Sequence, residues 1–178
     1  SLIAVEFSAY AKVRGFPKRE AGEDFYLLNK LAKVGTIVRG GGEVVIRARR
    51  SDRVPFGTGA ALSQATPDAL PRCYAPLVFD WLRIALARMM SAVQQQQDLH
   101  WQETDPRFLA GARDRKLTEL VRTINGTSLP LAQRKKQLSK RFDGFATLKL
   151  MHAWRNQGVG DVETQQALAD SPWFELPM

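Results

Sequence analysis

IAVEFSAYAKVR, residues 3–14, alternates strictly: Ile3, Val5, Phe7, Ala9, Ala11 and Val13 are apolar, and Ala4, Glu6, Ser8, Tyr10, Lys12 and Arg14 stand between them. A two-residue period of this length predicts a half-buried strand, one face on the core and the other in water. The stretch GFPKREAGED (15–24) then breaks regularity with two Gly and a Pro. A helix is expected from Gly22 to Val34, with Phe25, Leu28, Leu31 and Ala32 on one side. Glu23 and Asp24 open it, Lys30 and Lys33 lie near its end and Gly35 follows, as the helix dipole and C-cap preferences require. GTIVR (35–39) and EVVIRARR (43–50) flank Gly40-Gly41-Gly42, which predicts two strands joined by a tight turn. The order β–α–β–β over residues 1–56 points to an α+β, RRM/ferredoxin-like start.

That layout carries a functional expectation. If the helix covers the apolar face, the open face presents Tyr10, Lys12 and Arg14 beside Arg47 and Arg49, with Arg39 in the hairpin. An aromatic ring among cations suits single-stranded RNA: the ring stacks a base and the guanidinium groups neutralise phosphates. The plainer alternative is a solvated outer face with a routine Tyr.

Charge supports a polyanionic partner. The chain has 178 residues and carries 26 Lys plus Arg against 18 Asp plus Glu, a net charge of +8 with a pI near 10.0. Nucleic acid is the first expectation and an anionic membrane surface the second. The surplus is uneven. Residues 1–56 hold 11 basic and 6 acidic side chains, 57–110 hold 4 and 5, 111–156 hold 11 and 3, and 157–178 hold 0 and 4. Cys73 alone excludes an internal disulfide framework or a Cys-rich zinc site, and His100 and His152 are too few for a His-based metal centre. No cofactor is expected. Apolar runs fall short of the roughly 18 residues that span a bilayer, and SLIAVEF offers no signal peptide, so no membrane partner and a cytoplasmic location are expected.

The rest of the chain reads as helices. Residues 55–72, PFGTGAALSQATPDALPR, are expected to form an irregular connection; Gly57-Thr58-Gly59 lacks a Walker lysine and a GxGxxG pattern, which argues against nucleotide binding there. A long helix is predicted from Ala75 to Gln97, with Val78, Leu82, Ala85, Met89 and Val93 inward, widened by Trp81 and Leu86. His100-Trp101 falls in a polar loop, where an exposed Trp would be a second stacking surface. A short helix over 113–124 precedes one beginning after Ser128 that contains QRKKQLSKRF. Its cations Arg134, Lys135, Lys136, Lys140 and Arg141 repel one another unless an anion lies alongside. A further helix over 145–157 and a short one over 161–169 complete the pattern. The expected organisation is an RRM-like half at 1–56, a connection and basic helical subdomain at 57–144, and a closing helix with an acidic segment at 145–178.

With the helix near 145–157 and an edge strand near 173–177, the β–α–β–β start would complete a βαββαβ layout. In outline this resembles the RAMP superfamily, the RRM-like proteins that process or cap CRISPR repeat RNA. The resemblance rests on topology and on Arg14, Arg47 and Arg49. It implies an RNA-binding role inside a ribonucleoprotein with other protein subunits. If there is catalysis, it implies metal-independent endoribonuclease cleavage by the RNA 2′-oxygen, for which Tyr10, Arg14, Arg39 and His152 are chemically eligible. The alternative is a DNA-binding regulatory or plasmid- or phage-associated protein using helices 145–157 and 161–169 as a helix–turn–helix. Its would-be recognition helix, DVETQQALAD, has no Lys or Arg.

Overall fold

Val5, Ala9 and Val13 are four residues apart, a spacing that satisfies a two-residue period and a helical one alike. The computed structural model, which describes residues 3–19, 22–38, 40, 45 and 72–171, takes the helical option. Phe7–Lys12 is helix α1, and the expected first strand is absent from it. Val5 and Ala9 pack with Val13 against Leu27 and Leu31 of α2 (Glu23–Leu31). Phe7, which a strand would bury on the same face, is 85% exposed, and Ala11 is exposed as well. The deciding residues are the alanines. Ala9 and Ala11 favour helix and are depleted in strands, so tertiary contact through every fourth residue outweighs the alternation.

After α1 the chain reverses through Arg14 and Gly15, both left-handed at φ 58 and 64. Glycine is required at the second position, because a Cβ there would stand 2.8 Å from the Tyr10 hydroxyl. Lys30 Nζ donates to the Gly15 carbonyl at 3.2 Å and ties α2 to this turn. The inward face of α2 is Leu27 and Leu31; Phe25 and Ala32, expected inside, are exposed.

The chain divides into two compact units, Ser1–Ala69 and Leu70–Met178. Within the second, β1 (Arg72–Cys73) leads into α3 (Pro76–Gln95), then α4 (Pro106–Asp114), α5 (Leu117–Asn125), α6 (Leu131–Arg141), α7 (Gly144–Asn156), β2 (Val162–Glu163) and α8 (Thr164–Ala169). β1 and β2 pair antiparallel, Arg72 opposite Glu163 and Cys73 opposite Val162. These two-residue strands form the only sheet among the described residues, and eight helices surround it in sequence. The fold is therefore mainly α, and the α+β, RRM/ferredoxin-like expectation is corrected. The outline that resembled the RAMP superfamily loses its opening strand. Of the expected hairpin, residues 35–38, 40 and 45 are described and form no strand; its remainder, Gly57-Thr58-Gly59 and the edge strand near 173–177 lie outside the described residues.

Why α3 organises the second unit follows from its pattern. Val78, Trp81, Ala85, Met89, Ala92 and Val93 recur at three- and four-residue spacings and are buried. Pro76 occupies its first turn, and Gln96 ends it in the left-handed region. α5, α6 and α7 pack on α3, and α4 packs between α5 and α7. An aromatic knot closes the far side: Phe108 stacks on Trp154 with centroids 5.5 Å apart, and Trp81 meets both edge-on. Trp101 lies edge-on to Phe108 at 5.2 Å, so it is core-facing rather than a free stacking surface.

Caps fix the helix starts. Asp105 accepts from the Arg107 amide at 2.9 Å, and Asp143 accepts from the Phe145 and Ala146 amides at 3.1 Å each. The Arg107 guanidinium, bonded to Asp105 at 2.7 Å, holds that carboxyl at about 2, well below the usual carboxylate range. No described helix is long and apolar enough to cross a membrane.

Candidate nucleic-acid interface

Nine basic and two acidic residues lie between Gly111 and Phe142, and the packing of α5 on α6 folds this density into one corner. α5 turns Leu117, Val121 and Ile124 inward, so Arg122 and Thr123 are left outside. α6 buries Leu138 and the following Phe142, which leaves Lys136, Lys140 and Arg141 exposed and Lys135 half-buried. Among the described residues no carboxylate lies within ion-pair distance of Lys116, Arg122, Lys135, Lys136, Lys140 or Arg141.

Arg134 is the exception in the basic helix. It is 8% exposed, and its guanidinium donates to Gln96 Oε1 at 2.9 Å and to the Leu129 carbonyl at 3.2 Å. A third donor reaches toward the Val93 carbonyl at 3.5 Å. Its charge is spent on the end of α3 and the α5–α6 loop, where the carbonyls at helix termini need donors. Sequence reasoning grouped it with the exposed cations because spacing alone does not distinguish a long polar side chain that runs inward from one that runs out.

Beside this corner, where the α4–α5 link meets the end of α6 and the start of α7, is a pocket of about 300 Å³. Arg115, Lys116 and Arg141 stand around it, and Leu120, Phe142 and Ala146 supply its apolar lining. Glu119 and Thr123 add a carboxylate and a hydroxyl. Lys116 is held left-handed at φ 52, and no side chain caps the first turn of α5. Nothing in the sequence flagged this pocket: its parts come from three separate helices and their links.

The other expected site residues belong to different units or lie outside the described residues. Tyr10, Lys12 and Arg14 are exposed on α1 and its exit turn, in the first unit, and form no sheet face. Tyr10 packs edge-on to Phe16 at 6.1 Å, and its hydroxyl accepts from the Phe16 amide at 3.4 Å. Arg39, Arg47 and Arg49 lie outside the described residues.

His152 belongs to the second unit, Tyr10 and Arg14 to the first. Its Nε2 and the Tyr74 hydroxyl are 2.7 Å apart. Burial, then the nearby Arg155 charge, push the imidazole below its ordinary pKa, with Asp161 opposing. The neutral ring is thereby favoured, and its tautomer sets which of Nε2 and the Tyr74 hydroxyl donates to the other. Arg155 covers the Tyr74 ring at 5.6 Å and reaches Asp161 at 3.4 Å, while Arg72 bonds the Asp161 carbonyl. This cluster fastens the β1–β2 ribbon to α7. Among the described residues no His, Cys, Asp and Glu set could hold a metal ion.

The helix–turn–helix alternative fares poorly in this geometry. β2 interrupts the stretch between α7 and α8, and α8 is only six residues long without a cation.

Comparison with protein-family models, curated proteins and solved structures finds no match to this chain.

Proposed function

We propose that this protein binds nucleic acid along the α5–α6 corner, single-stranded RNA in preference to duplex DNA. The observation that carries this reading is the set of six cations, from Lys116 to Arg141, that no carboxylate neutralises within the described residues. Like charges at this density raise the energy of the folded protein unless an anion lies against them, and a phosphate backbone meets that need at every position. The open pocket with an apolar lining beside the cations favours a single strand, whose bases are free to leave the stack.

Salt dependence tests the reading. Six neutralised phosphates give a slope of roughly −4 in log affinity against log salt for a single strand. Fluorescence anisotropy with a short labelled RNA between about 50 and 300 mM salt measures it. Replacing Lys135, Lys136 and Lys140 together with Ala makes that slope shallower by about 2 and leaves the melting temperature unchanged. A flat salt response in the unmodified protein overturns the reading.

A further inference from the structure

We infer that the pocket between the α4–α5 link, α6 and α7 receives the terminal nucleotide of a strand through a phosphate monoester. The inference rests on the nucleic-acid reading and deepens it.

The charge count selects the group. Arg115, Lys116 and Arg141 set against Glu119 leave two positive charges around the pocket. A phosphate monoester carries about −1.5 to −2 at neutral pH, whereas an internal phosphodiester carries a single charge. Asp114 meets Arg115 at 3.7 Å, but its side chain is largely exposed, and such a pair is weak in water. Two guanidinium groups add paired donors that match phosphate oxygens. The uncapped first turn of α5 lines the same pocket and leaves amide donors there.

Size and lining select what the phosphate is attached to. A volume of about 300 Å³ lies at the lower end for small-molecule sites, the scale of one nucleotide and too small for two. Phe142 and Leu120 offer an apolar wall to a base, and Glu119 an acceptor to a ribose hydroxyl or base amine. Inorganic phosphate would use the cations and leave that wall empty.

The test compares one RNA oligomer bearing a 5′-phosphate, a 3′-phosphate or hydroxyls at both ends. One phosphorylated form is expected to bind about tenfold tighter than the hydroxyl form, the gain of a charge-assisted contact. R115Q with R141Q should abolish that difference, with an unchanged melting temperature showing that the fold survives. The triple Lys135, Lys136 and Lys140 substitution should lower all three affinities and preserve the ratio. Adenosine monophosphate should displace the phosphorylated oligomer at lower concentration than inorganic phosphate does. Equal affinity of the three oligomers, with salt-dependent binding intact, overturns the pocket inference alone. If no oligomer binds, the broader reading fails, and adenosine monophosphate binding measured directly then decides the pocket.

Discussion

The Cα of Gly111 in α4 lies against the indole of Trp154 in α7. A Cβ at Gly111 would stand 2.6 Å from Nε1 and closer still to Cδ1. Nε1 donates to the Phe108 carbonyl at 3.1 Å, so the ring is pinned by its polar edge as well as its faces. Gly111→Ala should therefore lower stability by about 1–3 kcal/mol through overpacking. Trp154→Phe should cost at least a similar amount by removing the indole N–H bond to the Phe108 carbonyl and leaving the space of the second ring unfilled. Urea denaturation of both variants checks this, and a midpoint for Gly111→Ala equal to the parent's would show that the helices are not this close.

Arg134 and Lys136 are two residues apart and should behave oppositely. Arg134→Met removes donors from two backbone carbonyls and Gln96, and should cost about 1–3 kcal/mol of stability. Lys136→Ala should stay within about 0.5 kcal/mol of the parent in stability and weaken RNA binding. Paired measurements of denaturation midpoint and Kd separate the two roles.

His152 makes stability depend on pH in a stated direction. Its folded pKa lies below the ordinary 6.5, so the unfolded chain takes up the proton first. The contribution is complete above about 6.5 and is lost as pH falls through the folded value. His152→Gln should remove this part of the fall in melting temperature between about pH 8 and 5. A parent protein whose melting temperature rises on acidification across that range would contradict the neutral-ring assignment. Asp105 works in a separate window: its stabilisation is present above 3.8 and declines toward about 2.

The first unit offers a test of helix against strand. Phe7→Ala should change stability by less than about 0.5 kcal/mol because the ring is in solvent. Leu27→Ala, at a fully buried site, should cost about 2–5 kcal/mol. The reverse ranking would restore the strand.

Loss of the Asp143 carboxylate should weaken α7 at its start. Asp143→Ala is expected to cost about 1 kcal/mol, and Asp143→Asn much less, since the amide oxygen can accept the same two bonds.

Helices α3, α5, α6 and α7 of the second unit are legible because their periodicity has a single interpretation. Val78, Ala85, Met89 and Val93 fit no strand, and α3 spans 76–95 where the pattern predicted 75–97. Residues 3–14 were misread because Val5, Ala9 and Val13 obey both periods, and only the exposure of Phe7 and Ala11 tells them apart. The helix α4 went unread: Pro106 and Gly111 look like loop residues until Asp105 caps the first and Trp154 needs the second. For the basic corner, Lys136 and Lys140 were readable from charge density, whereas the inward turn of Arg134 and the assembly of the pocket depend on contacts between helices that no local pattern encodes.

The ribbon of Arg72 and Cys73 with Val162 and Glu163 has a kinetic consequence. Arg72 and Asp161, which it brings together, are 89 residues apart in the chain. In the unfolded chain, closing a loop of that size would cost about 4 kcal/mol of chain entropy, more than two short strands repay, so the ribbon cannot nucleate the unit. The helix pairs α5–α6 and α4–α5 close across links of a few residues and can form first. The ribbon is then the last part of the unit to assemble and the first to open, and hydrogen exchange should find its amides released well before those in the middle of α3.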